Sequence, residues 1–361
     1  MIDYPKYTVA AAHVAPEYYD VKRTVDKACG IIADAAQQGA KLIAFGETFI
    51  PGYPNWARLI RPIESDEFFC EYAARSILVD GPEILRIRQA ARQSKIFVSI
   101  GFSERTNVSV GCLWNSNVMI GPDGSILAHH RKLVPTYVEK LIFNSGDGAG
   151  LLVPDTELGR IGMLICGENT NPLARFSLMA QGEQVHIASY PSVAPARPTP
   201  GTGGYNIQDG IRIRAASHSF EAKVFTIVAA MPFDDAARKA LAHIGEDNLK
   251  LLDEGSRATS FVIGPTGQLL TDIWDKQEGL AFAEIDLAQC VPHKRMHDVV
   301  GYYNRFDVFN LTVNRTANRP ARFIDDPLAV SSREPEIPKI VESSASGGSQ
   351  ACPEAEGQPT L

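Results

Sequence analysis

One cysteine of this chain stands where a thiol could act as a nucleophile. Cys166 ends the apolar run RIGMLIC and opens the polar turn CGENTNP, with the helix-like stretch PLARFSLMAQG behind it. A helix N-terminus offers free N–H groups and the positive end of a dipole, which lower a thiol pKa and steady an anion forming beside it. A nucleophilic thiol also needs a group to take its proton. Glu47 is the candidate: it follows the apolar run KLIAF, where a carboxylate is poorly solvated, so its pKa rises and it can serve as a general base. Lys132, after SILAHH, could pair with an anionic intermediate, and Glu139 follows it in PTYVEK. Taken one at a time, these residues have plainer readings as a packed core thiol, loop carboxylates and a surface lysine.

The six cysteines are scattered at 29, 70, 112, 166, 290 and 352, with no CxxC pair and no histidine cluster at zinc spacing. They read as reduced thiols of a cytoplasmic protein, and neither a metal nor an organic cofactor is expected. His129, His130 and His186 form no Cys/His pair that the sequence can place, and read as structural or surface histidines. Asp209 and Arg212 read as capping and surface charge at a helix start. Tyr53, Trp56 and Tyr190 each lie one loop from a candidate residue and could line a substrate pocket, although core packing would serve them equally.

These residues must be carried by an α/β scaffold. The segments 8–14, 41–45, 96–104, 160–166, 185–191, 224–231 and 280–287 read as short buried strands. Helices are expected over 21–40, 81–95, 172–182 and 210–223, two of them opening with proline in the first turn. Hairpins are expected at 116–132 and 260–273, each around a GPxG turn, at 121–124 and 264–267. The repeated turn hints at an internal duplication. From about residue 333 the composition turns rich in Pro, Ser, Gly and Glu, which predicts a flexible tail over 333–361 behind a domain at 1–325.

AFGETFIPGYPNW, HRKLVPTYVEK and LICGENTNPLARF occur in the order and spacing of the nitrilase superfamily of carbon–nitrogen hydrolases, and the resemblance runs to about residue 325. It implies that Glu47 is the general base, Lys132 the catalytic lysine, Cys166 the nucleophile and Glu139 a second glutamate near the site. It implies a four-layer α-β-β-α sandwich and a homo-oligomer, with helices pairing between copies and a spiral assembly possible for nitrilases. GYPNW and C-x-E-N resemble the nitrilase branch, whose small-molecule substrate is a nitrile. Its amidase and carbamoylase branches, or a non-catalytic filament former, are the rival readings. The sequence departs from that branch at Tyr302, where a histidine is common, and at Gly167, where many nitrilases carry tryptophan. Loss of an indole beside the nucleophile would open the pocket to bulkier substrates, unless a neighbour refills the space.

The net charge of −7 gives no electrostatic case for nucleic acid or an anionic membrane surface, and no apolar run reaches the length of a membrane span. The N-terminal segment has no basic region followed by an apolar stretch and a cleavage site, so it does not read as a secretion signal.

Overall fold

The computed structural model describes residues 4–196 and 206–321. One mixed sheet is made by β1 (Lys6–His13), β2 (Ala40–Ala44), β3 (Phe97–Arg105), β4 (Leu113–Ile120), β5 (Ile126–Arg131) and, from the far end of the chain, β13 (Gly279–Asp286). Its order is β13-β1-β2-β3-β4-β5. A second sheet holds β6 (Asp155–Thr156), β7 (Gly159–Ile165), β8 (Val185–Ser189), β10 (Phe225–Ala229) and β12 (Phe261–Ile263), in the order β12-β10-β8-β7-β6. The short strands β9 (Val193–Ala194) and β11 (Ser256–Arg257) pair apart from both.

Side chains alternate along a strand, and here both faces of the central strands are covered, so their sequences are apolar throughout. Val9 and Ala11 of β1, with Leu42 and Ala44 of β2, face Met163, Ile187 and Ile227 of the other sheet. Their neighbours Ala10, Ala12 and Ile43 turn outward to helices α1 (Val21–Gln37) and α3 (Pro82–Ser94), meeting Val25, Ala28, Ile32, Ile84 and Ile87. On the far side, α4 (Pro172–Met179) lays Ala174 and Leu178 on Leu164. Helix α5 (Ile207–Ala222) lays Ile207, Ile211 and Ala215 over Ala188 and Val228. The result is a four-layer α-β-β-α sandwich.

The two halves share a pattern. In the first sheet β1, β2 and β3 run parallel, β4 returns antiparallel, and the turn at 121–124 follows. In the second, β7, β8 and β10 run parallel, β12 returns antiparallel, and the turn at 264–267 follows. The GPxG turn thus closes the same run of strands twice.

The sequence reading needs correction in three places. The hairpin expected over 260–273 has only one regular arm: its return makes isolated bridges, Ile263 to Leu269 and Ser260 to Trp274. The Val262 N–H donates to the Thr271 hydroxyl at 3.0 Å, so a side chain stands in for a ladder carbonyl. Helix α5 begins at Ile207 and is capped by Asn206, with Asp209 in its first turn and Arg212 exposed. The helices α2 (Asp66–Ala74), α6 (Asp235–Ala240), α7 (Glu246–Asp253) and α8 (Cys290–Met296) were not foreseen. The tail expected at 333–361, and the last residues of the domain expected at 1–325, lie outside the described residues.

Candidate active site

Strand ends of the two sheets bring the candidate residues together. Glu47 follows β2, and its N–H donates to the Tyr190 carbonyl at 3.0 Å, across to the end of β8 in the opposite sheet. The β2 end lies so close to β3 that a Cβ on Gly101 would sit 2.5 Å from the Gly46 carbonyl oxygen and 2.7 Å from the Thr48 nitrogen. Lys132 leaves β5 with its N–H bonded to the Asn115 carbonyl at 2.8 Å. Glu139 sits on the short turn Tyr137–Leu141, tied back by the Thr136 N–H at 2.9 Å.

Fully buried, the Lys132 ammonium bridges the two glutamates, at 2.6 Å from Glu47 Oε1 and 2.7 Å from Glu139 Oε2. Asn115 Nδ2 donates to Glu47 Oε1 at 2.7 Å, and the Tyr53 hydroxyl donates to Glu139 Oε1 at 2.7 Å. Burial pulls the Lys132 pKa down, but the Glu139 and Glu47 carboxylates more than reverse it and hold the ammonium charged. Glu47 is raised above the usual carboxylate range, by burial first and by Glu139, against the opposing pull of Lys132. Its second oxygen, Oε2, is buried and has no hydrogen-bond partner. That leaves one basic oxygen available for a proton.

Cys166 terminates β7 with φ at 51°, a left-handed conformation that non-glycine residues take up only when their surroundings impose it. The surroundings are a set of buried hydrogen bonds. Glu168 accepts from the Ile165 N–H at 2.8 Å, from the Leu133 N–H and from His130 Nε2 at 2.9 Å, so one carboxylate ties the cysteine turn to the lysine loop. Asn169 Nδ2 donates to the Cys166 carbonyl at 3.1 Å. Its Oδ1 meets His186 Nε2 at 2.8 Å, and behind His186 the Glu183 carboxylate joins His186 to His218, both at 2.7 Å. His130 and His186 are therefore buried supports beneath the turn, while His129 pairs with Glu104 farther along β5. Glu183, His186 and His218 also place one atom each of metal-ligating type within 4.8 Å of one another, a grouping hidden in sequence by its spread over two elements.

One expectation about Cys166 is overturned. The helix behind the thiol begins at Pro172, as the sequence predicts, and a 3₁₀ turn over Cys166–Thr170 stands between the two. The thiol pKa is raised, not lowered, by burial first and then by the charge of Glu47, with Lys132 opposing. The pocket beside Gly167 is not opened either. A Cβ there would lie 2.6 Å from Thr136 Oγ1, so the threonine of the lysine loop occupies the space.

The aromatic candidates divide. Tyr53 is buried and its hydroxyl is committed to Glu139. Tyr190 is buried among Ala188, Ile211 and Val228, in the cluster that packs against Cys166. Trp56 lies with its ring centre 5.6 Å from that of Phe68, the two rings tilted, and lines a cavity of about 270 Å³ with Phe69 and Leu141. Tyr302 is exposed at the surface. Asn115, Glu168 and Asn169 are site residues to which the sequence reading gave no role; the C-x-E-N pattern carried two of them in view.

A sandwich whose opposed strand ends gather a cysteine, two glutamates and a lysine is the arrangement of a carbon–nitrogen hydrolase. The chain belongs to that family, whose sequence pattern it matches over residues 8–295. It is 36% identical to a cyanide hydratase of Botryotinia fuckeliana, over 86% of this chain and 83% of that protein. It is 32% identical to an aliphatic nitrilase of Rhodococcus rhodochrous, over 89% of this chain and 86% of that one. Among solved structures, the NitFhit protein of C. elegans shares the fold with a TM-score of 0.63 at 17% identity, covering 88% of this chain and 70% of that one.

Proposed function

We propose that this chain hydrolyses an organic nitrile to the carboxylic acid and ammonia through covalent intermediates on Cys166. The observation that carries the reading is the buried Lys132 ammonium held between Glu47 and Glu139, within the electrostatic field of Cys166. Relatives 32–36% identical, named nitrilases and cyanide hydratases, support the substrate class.

A nitrile carbon is a weak electrophile and needs a thiolate. With both glutamates ionised, a free thiolate would add a second uncompensated charge to a buried site, so the resting cysteine is a thiol. It gives its proton to Glu47 as sulfur attacks. Glu47 passes that proton to the nitrile nitrogen, which restores the base, and a thioimidate results. Water adds with Glu47 taking its proton and handing it to the nitrogen, ammonia departs, and a thioester remains. A second water, again through Glu47, releases the acid and restores the thiol. Lys132 and the Gly167 N–H stabilise the anionic intermediates. Glu139, fixed by Tyr53 and Thr136, holds Lys132 in place.

A second reading follows from the relatives named cyanide hydratases. If the tetrahedral intermediate expels sulfur instead of ammonia, an amide is released. An amidase of the same family would accept amides and spare nitriles. We further propose a cytoplasmic homo-oligomer. Among the described residues no helix is long and apolar enough to cross a membrane. Tyr302, Tyr303, Phe306 and Phe309 follow α8 with exposures of 63–74%, an apolar surface suited to another copy.

The test is ammonia release over aliphatic, aryl-aliphatic and aromatic nitriles and their amides, with Cys166→Ala as control. Turnover of amides alone would sink the nitrilase reading.

A further inference from the structure

Arg58 is a half-buried cation that the chemistry above leaves unused. It ends the short turn Asn55–Arg58, and its guanidinium carbon lies 6.0 Å from the centre of the Tyr53 ring. Tyr53 is the residue whose hydroxyl holds Glu139 at 2.7 Å, which puts the guanidinium at the rim of the site. Tyr53 acts on it most, also through its hydroxyl, and Cys166 and Glu139 are among the charges that reach it. Its Nε–H is buried without a hydrogen-bond partner. No carboxylate among the described residues forms a salt bridge with it, whereas the half-buried Arg131 and Arg175 each hold a glutamate. A buried orphan donor on a charged group is costly, and so needs an explanation. Nε–H is one of the two donors along the guanidinium edge that a carboxylate meets in bidentate fashion. A ligand carboxylate at that edge would satisfy the orphan donor and supply the missing counter-charge together.

We propose that Arg58 binds the carboxylate of a substrate that carries a nitrile and, a few carbons away, a carboxylate, so that cyanocarboxylates are the preferred substrate class. This rests on the nitrilase reading. The nitrile would enter toward Cys166 while the carboxylate stays at the rim. A cyanide-sized substrate would not use this contact.

The experiment compares straight-chain ω-cyanocarboxylates of increasing chain length with alkyl nitriles in which an ethyl group replaces the carboxylate, scoring ammonia as kcat/KM. The wild type should favour the best cyanocarboxylate by about ten- to a hundred-fold, the range a charge-assisted hydrogen bond supplies. Arg58→Gln should bring the ratio close to one by lowering only the charged substrate, and Arg58→Lys should fall between. A wild type without preference for the charged series overturns the proposal, and needs no variant to fold. An Arg58→Gln enzyme that loses both series equally also overturns it, because Arg58 would then act on the nucleophile's charge and not on the substrate. Absence of ammonia from every nitrile would instead defeat the nitrilase reading itself.

Discussion

The main-chain N–H of Leu133 donates to the carboxylate of Glu168, joining the residue after the lysine to the second residue after the cysteine. The same carboxylate accepts from Ile165 N and His130. Cys166 and Lys132 come from different sheets, so this one side chain sets their separation. Burial alone pushes Glu168 up, but His130 and the two N–H donors outweigh it and keep the carboxyl below its usual range.

Glu168→Ala should therefore lose both registration and stability. Removing one member of a buried charged network leaves the others unpaired, at a cost of about 3 kcal/mol. Activity per folded molecule should drop ~100-fold, because misplacing reacting groups by about an ångström has that effect. Chemical denaturation and active-site titration would separate the two losses. A variant with wild-type kcat would show that the turn is held by other means.

Cys166→Ala should abolish ammonia release, by at least ~10³-fold, with the melting temperature little changed. Mass spectrometry of the wild type during turnover should find an acyl or imidoyl adduct on Cys166. Activity that survives the substitution would remove the thiol from the mechanism.

Tyr53→Phe tests whether Tyr53 serves Glu139 or the substrate. The hydroxyl donates to Glu139 Oε1, so its loss frees one side of the carboxylate that holds Lys132. We expect kcat to fall ~10-fold with KM little altered, as for loss of one hydrogen bond to a charged group. A rise in KM at constant kcat would place the hydroxyl on the substrate instead.

The contact between Gly167 and Thr136 predicts a rescue. Gly167→Ala should depress kcat ~10-fold, because its new methyl would press on Thr136 Oγ1 and displace the lysine loop. Thr136→Ala in the same protein should restore most of the loss, and the double-mutant cycle measures the coupling. Additive effects would mean that the two residues do not compete for one space.

Stability should decline in acid in two stages. His13 and His218 are each lowered to about 4 from 6.5, by burial first. The unfolded chain takes up these protons as pH falls below 6.5 while the fold refuses them, so stability is lost between pH 6.5 and 4. Glu104 and Glu183 are each held at about 2 against 4.5: burial would raise them, but histidine partners, joined by Arg131 at Glu104, prevail. Their contribution is present above pH 4.5 and lost as pH falls toward 2. Denaturation midpoints across a pH series would show both stages. A midpoint that holds steady from pH 6.5 to 4.5 would contradict the first.

The strands were legible because both of their faces are buried, which writes unbroken apolar runs such as KLIAF and RIGMLIC into the sequence. Glu47, Lys132, Glu139 and Cys166 were legible as punctuation at the ends of such runs, and by family resemblance. What stayed hidden depends on contacts between distant segments. Nothing in the residue types could tell that Thr136 fills the space beside Gly167, or that Asn115, on a strand of ordinary composition, points at Glu47. The helix at 66–74 was missed because Tyr72 is its only buried residue, which blurs its periodicity. The thiol's electrostatics were misjudged because burial, which no residue type announces, outweighs a helix that begins only beyond the Cys166–Thr170 turn.

Glu47 belongs to one sheet and Cys166 to the other, and the Glu47 N–H bonded to the Tyr190 carbonyl is a stitch across the gap. Neither half of the chain can hold a working site by itself. The spacing of the two sheets is written into the reaction, so the large apolar layer between them acts as a calliper. A truncated methionine or isoleucine deep in that layer, touching no substrate, would register as slower chemistry. During refolding, catalysis would return only once the two sheets had closed to their final distance.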